Sequence, residues 1–148
     1  MTIPPERRAA VALVALVSAA FLFHAQVASA LVTRGDDRLR TGDIDGAVGA
    51  YDRAMRLDPV SRTAADRLAF SLLMRHGDSD AARSYAIASA ALQHAPRDAN
   101  LLVDRALAAQ RLRRWKSAAR DFALAAAVAH DSRFARLAER LANRGAGA

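Results

Sequence analysis

Histidine is the first residue type to consider in this chain, because its imidazole can ligate a metal ion or transfer a proton near neutral pH. The four histidines are His24, His76, His94 and His130. No two of them are four residues apart, the spacing that places two ligands on one face of a helix. We therefore predict no metal site, and we interpret His94 and His130 as residues that complement the negative ends of helices.

Acidic pairs are the second candidate for chemistry, because two close carboxylates can hold a cation or act as general acid and base. Asp36 and Asp37 form one pair, and Asp78 and Asp80 form another. Both pairs fall at predicted turns, helix starts or exposed flanks, where aspartate commonly caps helices. The sequence has no glycine-rich phosphate loop, no Gly-x-Ser-x-Gly and no His-Glu-x-x-His motif. It therefore predicts a protein that is not an enzyme and uses no cofactor.

The formal net charge of +7 raises the question of a nucleic-acid partner. All basic residues except Lys116 are arginine, and most acids are aspartate, a bias typical of a GC-rich genome. The charge therefore does not favour nucleic acid as a partner. The densest basic patch consists of Arg105, Arg111, Arg113, Arg114, Lys116 and Arg120. We interpret it as a solvated face, with docking of an acidic partner or anionic headgroups as the alternative.

The N-terminal segment has the layout of a membrane-engaging sequence. Arg7 and Arg8 precede an apolar run over residues 9–23, as in a signal peptide. The triplet from Ala28 to Ala30 matches the small-x-small pattern after which signal peptidase cuts. Residues 9–32 are also long and apolar enough to span a bilayer as an uncleaved anchor. We therefore predict that residues 1–30 are a signal peptide or a transmembrane anchor. The basic residues place the rest of the chain outside the cytoplasm, either held at the inner membrane or released to the periplasm by cleavage between Ala30 and Leu31.

A pattern of two helices joined by a tight turn recurs three times after this segment. In the first unit, Ala47, Tyr51 and Ala54 are spaced four and three apart on one helix face. The third unit repeats the small, aromatic, small order with Ala118, Phe122 and Ala125. The middle unit carries small residues where the aromatic one belongs. The units close at Pro59, Pro96 and His130, so each is about 35 residues long.

This pattern resembles the tetratricopeptide repeat (TPR) family over residues 28–131, through a set of repeat-packing residues: Gly35, Ala47, Tyr51, Ala54, Pro59, Ala118, Phe122 and Ala125. The resemblance implies an all-α fold, a right-handed superhelical stack of about three helical hairpins with a C-terminal cap helix. An N-terminal apolar helix precedes the stack. The predicted domains are the segment 1–30, the repeat region 31–131, and the cap and tail 132–148. The individual repeats are assigned to residues 28–61, 62–96 and 97–131.

In TPR proteins the first helices of successive hairpins line a concave groove that binds a peptide or a helix. The resemblance assigns to this groove Val32, Asp36, Leu39 and Arg40 from the first unit, Asp66, Phe70, Leu73 and Met74 from the second, and Val103, Leu107, Gln110 and Arg111 from the third. Val32 and Asp36 stand where carboxylate-clamping members carry lysine and asparagine, so carboxylate clamping is not predicted. The alternative is that Phe70, Leu73 and Leu107 pack into the core.

The sequence thus predicts a scaffold for protein–protein interaction on the non-cytoplasmic side of the membrane. Its groove would bind a peptide or amphipathic helix of a partner chiefly by apolar burial, with Arg40 and Arg111 setting the orientation, during assembly of an envelope complex. One alternative is an accessory subunit packed against other membrane helices through residues 9–32. Another is binding of anionic lipid or a polyanion through the patch from Arg105 to Arg120.

Overall fold

The computed structural model describes the backbone of residues 5–147, and it describes side chains from residue 11 onward except at residues 13 and 19–21. The predicted cytoplasmic pair Arg7 and Arg8 lies outside the described side chains. The helices of the described residues are α1 (Pro5–Arg40), α2 (Ile44–Leu57), α3 (Arg62–Arg75), α4 (Asp80–His94), α5 (Ala99–Arg111), α6 (Trp115–Ala129) and α7 (Ser132–Ala146). Residues 5–147 contain no strand.

Short polar side chains start several of these helices by accepting hydrogen bonds from otherwise unpaired backbone amides. Asp43 accepts from the Gly46 amide at 2.9 Å at the start of α2. Asp98 accepts from the amides of the first turn of α5. Ser61 and Asp131 cap α3 and α7 in the same way. These caps fix the tight turns, so each pair of consecutive helices folds back as a hairpin.

The first hairpin is closed by contact between a glycine and an aromatic ring. Gly35 of α1 lies directly against the ring of Tyr51 of α2, which is fully buried. The Tyr51 hydroxyl donates to Asp36 at 2.7 Å, so the buried phenol has its hydrogen-bond partner. In the second hairpin, Ser84 of α4 donates to the carbonyl oxygen of Ala69 of α3 at 3.0 Å. Small residues therefore allow the paired helices to approach closely.

Two apolar clusters of the core join adjacent hairpins. One cluster combines Tyr51 with Leu68 and Leu72 of the second hairpin. Another combines Ala65, Ala69, Ala88 and Leu92 of the second hairpin with Leu101, Leu102 and Ala125 of the third. Since no hairpin covers its own apolar face, stacking of neighbours produces a continuous core.

Helix α7 covers the exposed end of the third hairpin. Ala138 and Leu141 are buried against it, and Phe134 stacks on Phe122 with ring centroids 6.2 Å apart. The guanidinium of Arg144 lies over the Trp115 ring at 4.5 Å. An amphipathic helix in this position separates the apolar core from solvent, as a capping helix does.

The N-terminal part of α1 packs against little of the protein. Exposed fractions of 60 to 71% are found for its apolar side chains Val11, Val14, Leu16, Val17, Leu22 and Phe23. Among the described residues, the segment Val14–Arg40 is the one helix that is long and apolar enough to cross a membrane. Its most apolar stretch of 18 residues has a mean hydropathy of 1.8, and 7% of that stretch is buried. A signal sequence has the same properties. The triplet from Ala28 to Ala30 lies within continuous helix, and Ala28 is buried.

Replacing Gly35 by alanine is expected to destabilise the fold, whereas the same change at Gly49 is expected to stabilise it. A methyl group at Gly35 would lie 2.4 Å from Cε1 of the buried Tyr51 ring, while one at Gly49 would meet no atom within 4 Å. Overpacking costs about 1–3 kcal/mol, and alanine in an open helical position gains up to about 1 kcal/mol over glycine. Thermal unfolding followed by circular dichroism measures both variants. Shifts of equal sign would contradict the tight contact.

Candidate functional site

The structure places the predicted groove residues on α1, α3 and α5, and α3 lies beside both of the other helices. On α1, Asp36 is engaged within the protein, because it accepts from the Tyr51 hydroxyl and lies 3.3 Å from Nε of Arg67. Burial and the hydrogen bond to Asp36 raise the pKa of Tyr51 above its usual range. Val32 and Leu39 pack against the core cluster of the first two hairpins. The α1 side of the groove is thus largely occupied by internal contacts.

The apolar residues of α3 and α5 divide into open and covered side chains. Phe70 and Met74 are each 41% exposed and offer apolar surface to a ligand. Val103 and Leu107 are half-buried against the core. Leu73 is 3% exposed, so its assignment to the groove surface is wrong. It faces the interior because the apolar face of α3 includes Leu68, Leu72 and Leu73, which wraps further around this helix than one stripe.

The two arginines expected to orient a ligand also have partners within the chain. Arg40 pairs with Asp37 one turn earlier, and both side chains are well exposed. Arg111 donates from Nη1 to the carbonyl oxygen of Leu73. It thereby ties the end of α5 to α3. Gln110, next to Arg111, is half-buried. Arg111 therefore links two hairpins.

A cavity of about 320 Å³ opens between α3, α5 and α7. The lining residues with charged, aromatic or branched apolar side chains are Asp66, Arg67, Phe70, Val103, Asp104 and Phe134. Asp66, Phe70 and Val103 were predicted from the sequence to lie in the groove, and they are the predicted residues that the structure brings together here. Asp104 and Phe134 were not included in that prediction.

Asp104 is the most unusual residue of this cavity. Its side chain is 4% exposed, and its Oδ2 atom has no hydrogen-bond partner among the described residues. Burial, followed by the negative charges of Asp66 and Asp98, raises the pKa of Asp104 to about 8, against an opposing effect of Arg67. Burial likewise raises the pKa of Asp66. The cavity therefore holds two carboxyl groups that form no ion pair with the described residues.

The sequence around Asp104 contains a signal that the groove prediction did not include. Leu101, three residues earlier, and Ala108, four residues later, are both fully buried. Residues at these spacings share one face of a helix, so Asp104 falls within the apolar face of α5. An acid at such a position is a candidate for a functional role, because buried charges without partners are rare.

The basic patch predicted from Arg105 to Arg120 is smaller in the structure than in the sequence. Arg105 forms a bidentate pair with the buried Asp121, at 2.7 and 2.8 Å, and this bond raises the pKa of Arg105. Arg114 lies over the Tyr85 ring at 5.0 Å. The patch residues that remain exposed without such a contact are Arg113, Lys116 and Arg120. Including Arg105 in an open patch was wrong, because its guanidinium faces a buried carboxylate.

No three histidine, aspartate or glutamate side chains come together as a metal-ligand group within the described residues. His76 and His130 instead terminate α3 and α6 in left-handed conformation, with φ of 62° and 53°. His94 is the last residue of α4.

No protein-family model matches the sequence, and no curated protein is similar enough in sequence to count as a relative. Solved structures do match its shape. The TPR domain of Arabidopsis OM64 superposes with a TM-score of 0.74 at 18% identity, over 82% of this chain and 98% of that one. The first TPR domain of human RPAP3 does so with a TM-score of 0.73 at 15% identity, over 83% and 95%. The chain has the TPR fold.

A third solved structure with the TPR fold is the first TPR of Spaghetti (RPAP3) bound to the HSP90 peptide SRMEEVD. It gives a TM-score of 0.75 at 16% identity, over 82% of this chain and 95% of that one. The predicted all-α TPR stack, with its cap helix and preceding apolar helix, is thereby confirmed. In this TPR stack, α1, α3 and α5 are the first helices of the three hairpins, so the cavity at Asp104 lies on the side predicted to form the groove.

Proposed function

We propose that this TPR protein is a scaffold that binds a segment of a partner protein in the groove between α3, α5 and α7. The observation that carries the proposal is the cavity of about 320 Å³ with Phe70 exposed at its edge. Binding sites for peptides combine an apolar anchor surface with a few polar groups that fix orientation. The peptide-bound TPR of Spaghetti (RPAP3) supports the proposal, because it shows that a domain of this fold accommodates a peptide. Catalysis has no place in this proposal.

We further propose that α1 is retained as a membrane anchor and that the repeats act on the non-cytoplasmic side, in assembly of an envelope complex. Two features support retention. The exposed apolar side chains of α1 fit a lipid environment, and the helix continues without a break into the first hairpin. A signal peptidase requires an extended site, whereas the triplet from Ala28 to Ala30 is helical.

The intact mass of the mature protein tests this anchor. We expect the full chain, with or without Met1, in the membrane fraction and not in the soluble periplasmic fraction. A mature protein that begins at Leu31 would contradict the anchor. It would leave the scaffold proposal standing, since α2 to α7 would be unchanged.

Site-specific photocrosslinking in cells tests the groove. A photoreactive phenylalanine analogue replaces Phe70 in one variant and Leu124 of α6 in the other. The two native side chains are similarly exposed, at 41% and 46%, and only Phe70 lines the cavity. We expect one or a few protein adducts from position 70 and none of these from position 124. Equal adduct patterns from both positions would contradict a partner-binding groove.

A further inference from the structure

The two carboxyl groups of the cavity differ from most other acids of the chain. Ion pairs with arginine are formed by Asp36, Asp37, Asp43, Asp45, Asp52, Asp80, Asp98, Asp121 and Asp131. Asp66 and Asp104 form no ion pair and no hydrogen bond with the described residues, although arginine is abundant in the chain. They also lie away from bulk solvent, Asp104 almost completely and Asp66 in part.

The arginines whose charges act on Asp66 and Asp104 are already paired with other carboxylates. Nε of Arg67 lies 3.3 Å from Asp36, and Nε of Arg62 lies 3.3 Å from Asp98. Neither arginine forms an ion pair with Asp104, and Arg67 offsets only part of the rise in its pKa. A buried carboxyl group without a partner destabilises a fold, because it has lost its hydration without gaining a replacement. Asp104 is one of the residues that line the cavity, and its Oδ2 atom is buried without a donor. A ligand that enters the cavity could supply this donor after a rotation of the Asp104 carboxyl group.

The walls of the cavity indicate which kind of cation fits. The rings of Phe70 and Phe134 line it together with Val103. A hydrated metal ion would gain nothing from these apolar surfaces, and no group of three acidic or histidine ligands exists within residues 5–147 as described. Lysine and arginine side chains combine a charged end with an apolar stem, so they match both parts of the lining.

We propose that this cavity binds a lysine or arginine side chain of the partner segment, with Asp104 and Asp66 as acceptors and Phe70 and Phe134 against its stem. The inference rests on the proposed function, since it names the chemistry that the groove selects. It inverts the charge relation expected for an acidic peptide such as SRMEEVD, the ligand of the Spaghetti (RPAP3) domain. The occupied cavity would contain a charge-assisted hydrogen bond in place of an unpaired acid.

Proton exchange accompanies this binding. The pKa of Asp104 near 8 means that the empty cavity holds Asp104 mostly protonated at pH 7, with Asp66, Asp98 and Arg67 as the charged groups that face it. A bound cation favours the ionised form, so the proton leaves to solvent as the ligand enters. Affinity for a basic ligand is therefore expected to rise between pH 6 and pH 8, as about one proton is released per ligand.

Selection from a random peptide library tests the inference. The full chain is held in lipid nanodiscs, peptides are selected on it at pH 8 and low salt, and the enriched sequences are synthesised. We expect them to share a lysine or arginine. Replacing that residue by neutral norleucine or citrulline should weaken binding at least about 10-fold, as expected for loss of a hydrogen-bonded charge. Asp104→Asn and Asp66→Asn should weaken binding of the basic peptide similarly, whereas Asp78→Asn, an exposed site outside the cavity with the same change in charge, should not.

The results separate the two proposals. Enriched peptides that lack a cation, or equal affinities of Asp104→Asn and Asp78→Asn, would overturn the inference and leave the groove as a binding site. Enrichment of no peptide at all would overturn both. The norleucine and citrulline peptides are measured on the unmodified protein, so a folding defect in a variant does not obscure the answer.

Discussion

Asp104→Asn is expected to stabilise the free protein at pH 7 and to remove part of the pH dependence of its stability. The carboxyl group of Asp104 is buried without a hydrogen-bond partner for Oδ2. Asparagine has nearly the same shape and carries no charge to desolvate at any pH. The substitution therefore removes a penalty and creates no cavity.

The direction follows from the proton count of the folded and unfolded chains. Burial raises the pKa of Asp104 to about 8 from 3.8 in the unfolded chain. Between these values the folded state holds a proton that the unfolded state has lost, so the stability of the native chain falls as pH rises from about 4 to about 8. Above pH 8 both states are ionised and the loss is complete. By pH 7 the loss is on the order of 4 kcal/mol, at about 1.4 kcal/mol for each pH unit.

Urea unfolding of the native chain and the variant, followed by circular dichroism in detergent at several values of pH, measures the difference. We expect nearly equal stabilities near pH 4 and a growing advantage of Asp104→Asn up to pH 8. Taking the difference cancels the contributions of groups that do not interact with Asp104 and leaves the carboxyl group of Asp104 together with its repulsion by Asp66 and Asp98. Asp78→Asn is the control and should follow the native chain. Parallel curves for Asp104→Asn and the native chain would show that Asp104 has a normal pKa in the folded state.

Helix packing was predictable from the sequence because it depends on local spacing. The order of Ala47, Tyr51 and Ala54 determines a helix face, and Gly35 is the residue type that a ring can approach closely. Both signals can be read within one hairpin. Stacking then follows because each hairpin leaves an apolar face uncovered.

The polar part of the site was less predictable, because it depends on contacts between distant residues. Asp121 binds Arg105 across 16 residues, and Arg111 binds the Leu73 carbonyl across 38. No periodicity links these positions in the sequence. The sequence shows Asp104 as an acid on an apolar helix face. Its lack of a partner cannot be read there, because it depends on the ion pairs that Arg67 and Arg62 form with other carboxylates. Sequence reasoning could therefore locate the helices of the predicted groove and include Asp66, without identifying Asp104 as the second carboxyl group of the cavity.

Asp121→Ala is expected to destabilise the protein by an amount comparable to the gain from Asp104→Asn. The reason is the opposite one, because Asp121 is a buried carboxylate with a partner and Asp104 is a buried acid without one. Asp121 is fully buried and forms two hydrogen bonds with Arg105, which join α5 to α6. Removing the carboxylate leaves a guanidinium that is only 21% exposed without its partner. Breaking a buried pair in this way costs about 3–5 kcal/mol, and the lower end applies here because Arg105 can partly rehydrate. A loss of about 3 kcal/mol lowers the melting temperature by about 10 °C in a domain of this size.

The double variant Arg105→Met with Asp121→Leu shows whether the pair itself or the orphaned charge is responsible for that loss. Exchange of a buried ion pair for apolar side chains of similar volume is often neutral, so we expect the double variant to unfold close to the native melting temperature. Asp37→Ala breaks the exposed pair with Arg40 and should change stability by less than about 1 kcal/mol. If Asp121→Ala were as mild as Asp37→Ala, the guanidinium of Arg105 would be free to reach solvent. The basic patch would then regain a member, and lipid or polyanion binding through it would become the stronger alternative to the groove.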